Sequence, residues 1–76
     1  MTIIEIEREP VELYKVLKFE GLASSGGEAK QMISDGLVQV NGEPETRKRR
    51  KLVHGDRIAL GNQHFILQRT SGGSAI

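Results

Sequence analysis

Seventy-six residues, 37% of them apolar and only three aromatic, make one small domain with a thin core, without room for both a deep substrate pocket and a stable fold. Cysteine is absent, which argues against a disulfide-stapled secreted scaffold and leads us to expect a reducing, cytoplasmic setting. Net charge is only +1, and no apolar run approaches the ~18 residues of a membrane span, so neither membrane insertion nor secretion is expected.

That even balance conceals a polarity along the chain. Residues 1–20 hold five acids against three bases, and residues 21–45 hold four acids against Lys30. Residues 46–76 hold seven bases against Asp56, and five of these are consecutive, Arg47 to Lys51.

Thr2 to Arg8 alternates, with Ile4 and Ile6 on one side and Glu5 and Glu7 on the other, the period of a half-buried strand. Pro10 suits a first helical position, where its missing N–H has no partner to lose. Leu13, Val16 and Leu17 follow at helical spacing and Gly21 stands as a left-handed C-terminal cap, predicting a helix over about 10–20. Ser25-Gly26-Gly27-Glu28 has capping-box spacing for a second helix, with Ala29, Met32 and Ile33 as its inward stripe and Gly36 at its end. Beyond Gly36 the period becomes two. Leu37 to Val40 leads into the hairpin turn Asn41-Gly42, with a return strand over Glu43–Thr46 whose Pro44 marks an unpaired edge. Lys51-Leu52-Val53 runs to a turn at His54-Gly55-Asp56. Arg57 to Leu60 and His64 to Gln68, joined at Gly61-Asn62, read as a final hairpin. The expected fold is α+β: a helix–loop–helix packed on a small, mostly antiparallel sheet. It forms a single domain over residues 1–69, with a small, glycine-rich tail over 70–76.

The order of these signals from Leu13 to Ile58 resembles a known family. Leu13 with Leu17, Gly21-Leu22-Ala23-Ser24-Ser25, Glu28-Ala29-Lys30, Ile33, Asp35-Gly36, Val38 to Gly42 and Gly55 to Ile58 are similar to the S4-type RNA-binding domain, whose helix–loop–helix plus hairpin is called the αL motif. The run Glu45 to Lys51 further resembles the short stand-alone bacterial members, the YbcJ-like ribosome-associated proteins. The resemblance implies a non-catalytic module that docks on structured RNA, with ribosomal RNA or the ribosome as the expected partner, and a monomer. Relatives carry arginine just before the first leucine and just after the serine pair. Here those positions are Glu12 and Gly26, and the basic run is expected to compensate.

Several groups compete as RNA contacts. Arg47, Lys48, Arg49, Arg50 and Lys51 repel one another until a polyanion relieves them, and an extended backbone would place about three of the five on one face. The same run would also serve as a plain solvated loop. Ser25, Gly26 and Gly27 offer helix N-terminal amides to a phosphate, with Lys30 one turn on, although Glu28 can fill that corner with its own carboxylate. Lys15 and Lys18 lie on the outer side of the first helix beside Tyr14, an edge-of-core ring that also suits stacking on an unpaired base. Gln31 and Lys30 are the polar groups of the second helix, too few for a DNA-reading helix-turn-helix. Asn41 is mainly a turn residue, and a backbone contact to RNA there rests on the resemblance. His54, His64 and Asp56 lack a metal-ligand spacing, and Ser24 and Ser25 have no identifiable base, so no metal, cofactor or catalytic site is expected. A protein-interaction adaptor using the acidic N-terminal half is the remaining alternative.

Overall fold

Helix formation in this chain is decided at the helix ends. Both helices stop in the same way. After α1 (Leu13–Phe19), Gly21 takes φ +75° and the amides of Gly21 and Leu22 return to the carbonyls of Lys18 and Leu17. After α2 (Gly26–Ser34), Gly36 takes φ +78° and the amides of Gly36 and Leu37 return to Ile33 and Met32. A residue with a Cβ is strained in that region, which is why glycine closes each helix. At its start, α2 has the expected capping box, with Ser25 Oγ accepting from the Glu28 amide at 3.1 Å.

The start of α1 departs from the sequence reading. Pro10 is not its first residue. It follows a cis peptide bond, and Val11–Glu12 form a short strand, β2, paired antiparallel with β5 (Lys51–Leu52). The helix therefore opens at Leu13, with Glu12 as an N-cap that makes no side-chain capping bond. Two of its orphan donors are met from outside instead: Leu13 N–H donates to the Arg50 carbonyl at 2.9 Å and Tyr14 N–H to the Lys48 carbonyl at 3.1 Å.

The computed structural model describes residues 1–70. The five-stranded sheet has the order β1-β7-β6-β3-β4, with β1 at Thr2–Ile6, β3 at Val38–Val40, β4 at Glu43–Pro44, β6 at Arg57–Leu60 and β7 at Gln63–Arg69. Neighbours are antiparallel except β1 and β7, which run parallel with Ile4 opposite Leu67. Pro44 sits on the edge strand, as its missing donor demands. The return strand is shorter than the 43–46 expected, because the chain turns inward at Glu45. Asn41 (φ 53°) and Gly42 (φ 88°) form the hairpin turn with both central residues left-handed, the arrangement Asn-Gly favours. Of the expected tail, Thr70 still donates its amide to the Ile6 carbonyl (2.8 Å), and the rest lies outside the described residues.

The core lies between the helix pair and one face of the sheet. Leu13, Leu17, Ala29, Ile33, Val38, Leu52 and Leu67 are completely shielded, and Ile4, Ile58 and Val40 nearly so. Each large aliphatic buried in this way contributes about 1.5–3 kcal/mol over leaving it exposed. Leu52 carries the end of the basic run into this core, so the cations before it stand on a fixed support.

Candidate nucleic-acid interface

The basic run is not extended, contrary to the argument from alternation. Arg50 N–H donates to the Arg47 carbonyl at 3.2 Å, closing a turn over residues 47–50 before β5 begins at Lys51. The cause is Glu45. It is 7% exposed, and among the described residues it is the one charged side chain in the buried class. One carboxylate oxygen accepts from the Arg47 amide (3.0 Å) and from Arg47 Nε (2.9 Å). The other accepts from Arg47 Nη2 (3.3 Å) and Arg50 Nη1 (2.7 Å). Held chiefly by the Arg47 side chain, the Glu45 carboxyl titrates at about 2, well below its ordinary value, despite the opposing cost of burial.

The five cations therefore divide. Arg47 and Arg50 are tied to Glu45, Arg50 with a side chain 30% exposed and Arg47 with one 72% exposed. Lys48, Arg49 and Lys51 are exposed, and among the described residues no carboxylate lies within ion-pair distance of them. Lys51 stands opposite Glu12 in the β2–β5 register, but Glu12 pairs with Lys15 at 3.5 Å.

Around Tyr14 the start of α1, the start of α2 and the basic turn meet. Its amide holds the Lys48 carbonyl, its half-buried ring lies against Gly26, and Lys30 Nζ sits 4.7 Å from the ring centroid. A methyl group at Gly26 would meet that ring at 3.8 Å, and one at Gly27 would meet Ser25 Oγ at 3.9 Å. Both are ordinary contacts, so packing requires neither glycine. The α2 amide corner is partly filled: the Glu28 carboxylate accepts from the Ser24 amide, and this bond holds its carboxyl below the usual range. Gln31 donates to Asp35 at 2.9 Å, and Lys18 is exposed on α1.

Asn41 is engaged within the fold. Its side chain donates to Asp56 Oδ1 (3.1 Å) and accepts from the Arg57 amide (2.9 Å), which ties the hairpin tip to the 53–56 turn. His54 serves the same turn, accepting the Arg69 amide at Nδ1 (3.0 Å). The sequence pattern puts Glu45 on the return strand and at the head of the run Glu45 to Lys51, and neither assignment gives it arginine partners. The available signal was one acid two positions before five cations, where only a specific role makes an acid useful.

Comparison with known proteins agrees with this geometry. The S4 domain family model matches residues 4–68. Two curated relatives are similar in sequence. The "Putative RNA-binding protein YbcJ" of Escherichia coli is 43% identical over 61 residues, covering 79% of this chain and 87% of that protein. The "Probable ribosome maturation protein RlbA" of Bacillus subtilis is 40% identical over 57 residues, covering 75% and 80%. The solution structure of Escherichia coli YbcJ, described as revealing an alpha-L motif involved in RNA binding, superimposes with a TM-score of 0.68 at 38% identity, over 90% of this chain and 87% of that one. With the helix–loop–helix, the Asn41-Gly42 hairpin and a family match spanning nearly all the described residues, this chain belongs to the S4 domain family.

Proposed function

We propose that this domain is a non-catalytic RNA-binding module that docks on structured RNA of the ribosome through phosphate contacts. The observation that carries the reading is the basic turn: Lys48, Arg49 and Lys51 stand exposed, with no carboxylate partner among the described residues, on a backbone that Tyr14, Leu13 and Glu45 hold in place. Such cations release counterions when they meet phosphates, and their fixed spacing suits the shape of a folded RNA more than its sequence. Gly26 and Lys30 adjoin the turn through Tyr14 and, with Ser25 and Gly27, form the second contact, while Lys15, Lys18, Gln31 and Asn41 are further candidate contacts. The names of the two relatives, one referring to RNA and one to ribosome maturation, support the choice of target.

Crosslinking in bacteria followed by sequencing of the attached RNA tests this reading. Ribosomal RNA is expected to dominate the crosslinks, and their concentration on messenger RNA or DNA would overturn it. A DNA-reading role for α2 has little to work with, because Gln31 is bonded to Asp35 and Lys30 lies over Tyr14. An adaptor role has one observation in its favour: Phe19 is 75% exposed beside a cleft between β1 and α1. Partner capture that survives complete nuclease digestion would favour it.

A further inference from the structure

We infer that Glu45 determines specificity: by fixing the basic turn in one shape, it makes the domain prefer folded RNA over flexible polyanions. The inference rests on the proposed RNA-binding function and concerns how the same surface chooses among RNAs.

A surface selected only for attraction to phosphate has no use for an acid beside five cations. Glu45 removes one unit of positive charge from the turn and engages donors of two arginines. In exchange the turn loses its freedom. The amide of Arg47 is held by Glu45, the amide of Arg50 by Arg47, and the carbonyls of Lys48 and Arg50 by the first two amides of α1. Arg47 presents its Nε edge and one Nη to the carboxylate, which leaves its remaining donors available, and its side chain is 72% exposed. Arg50 acts as a strut. Lys48, Arg49, Lys51 and the outer edge of Arg47 are thus presented from a rigid backbone. A rigid array binds a rigid phosphate array without first having to be ordered, whereas a flexible strand gains little from that preorganisation and responds mainly to total charge.

The two effects of Glu45 have opposite signs, which makes the test decisive. Glu45→Gln adds one unit of net positive charge, so charge alone predicts tighter binding to every polyanion. Loss of preorganisation predicts weaker binding to folded RNA and unchanged or tighter binding to a flexible strand. The measurement is the affinity of wild type and Glu45→Gln for purified bacterial ribosomal RNA and for poly(U), at one salt concentration, beside thermal melts. The ratio of the two affinities is expected to fall by about three- to tenfold in the variant. An unchanged ratio, with both RNAs bound tighter by the same factor, would overturn the inference and leave Glu45 as a fold strut only. Should Glu45→Gln be unfolded at the assay temperature, Arg50→Gln breaks the same bond from its partly exposed side. Its lost charge weakens both RNAs alike, so a fall in the ratio again supports the inference and a constant ratio overturns it. Wild type that binds neither RNA would remove the functional reading itself, a result distinct from either.

Discussion

Glu45 and the α2 glycines show how much single residues decide here. The Glu45 carboxyl titrates near 2 in the fold against an ordinary value of 4.5, with the Arg47 side chain as the main cause. A group whose folded value is depressed stabilises fully above its unfolded value and loses that contribution as pH falls through the folded one. Melting temperature is therefore expected to decline between about pH 4.5 and pH 2, and Glu45→Gln should lose most of that dependence. Equal acid sensitivity in the two proteins, measured by melts across that range, would show that the carboxylate contributes no linked stability. Gly26 and Gly27 make a second case. Replacing both with alanine is expected to leave stability equal or raise it by up to about 1 kcal/mol each, with a melting temperature no lower than wild type, because neither position needs positive φ and neither methyl clashes. RNA affinity should fall in the same variant if a phosphate approaches those amides, whereas Gly26→Arg should tighten binding by about 1 kcal/mol through a charge-assisted contact. Wild-type affinity in the double alanine variant would reduce the corner to a capping box.

At the scale of elements, local signals were legible and distant ones were not. Ser25 with Glu28, Gly21, Gly36 and Asn41-Gly42 each act within a few residues, and each stands where the sequence placed it. The alternation of Ile4 and Ile6 likewise became one buried face. The start of α1 lies later than the local pattern suggests because Val11–Glu12 pairs with Lys51–Leu52, about 40 residues away, and no local propensity reports such a pairing. The parallel β1–β7 closure was hidden for the same reason. The turn at residues 47–50 is hidden in the sequence because a run of like charges reads as extended until the acid two positions before it is recognised as its partner. These couplings carry a prediction of their own. Leu13 and Tyr14 occupy the first turn of a helix, where amides ordinarily exchange fast, yet both donate to carbonyls of the basic turn. Their hydrogen exchange is expected to be slow and to accelerate together in Glu45→Gln. Fast exchange at both in wild type would mean that the turn is not anchored to α1.

Across the whole molecule, acids dominate residues 1–45 and bases residues 46–76, and the fold joins the two segments through ion pairs such as Glu9 with Arg69 and Glu45 with Arg47. The side chains most suited to meet RNA are the cations of the basic turn that pair with no carboxylate among the described residues, Lys48, Arg49 and Lys51, carried on a support built from Leu52, β2 and the start of α1. If those three and the outer edge of Arg47 contact about three to four phosphates, log affinity for structured RNA should fall with log salt at a slope of about −2 to −4. The most direct test of the central claim is that slope, measured for wild type and for the combined Lys48→Ala, Arg49→Ala, Lys51→Ala variant. The triple variant is expected to stay folded, bind every RNA more weakly and show a slope shallower than about −1. A triple variant that is folded and keeps the wild-type slope would contradict the account, because the phosphates would then be held elsewhere on the molecule.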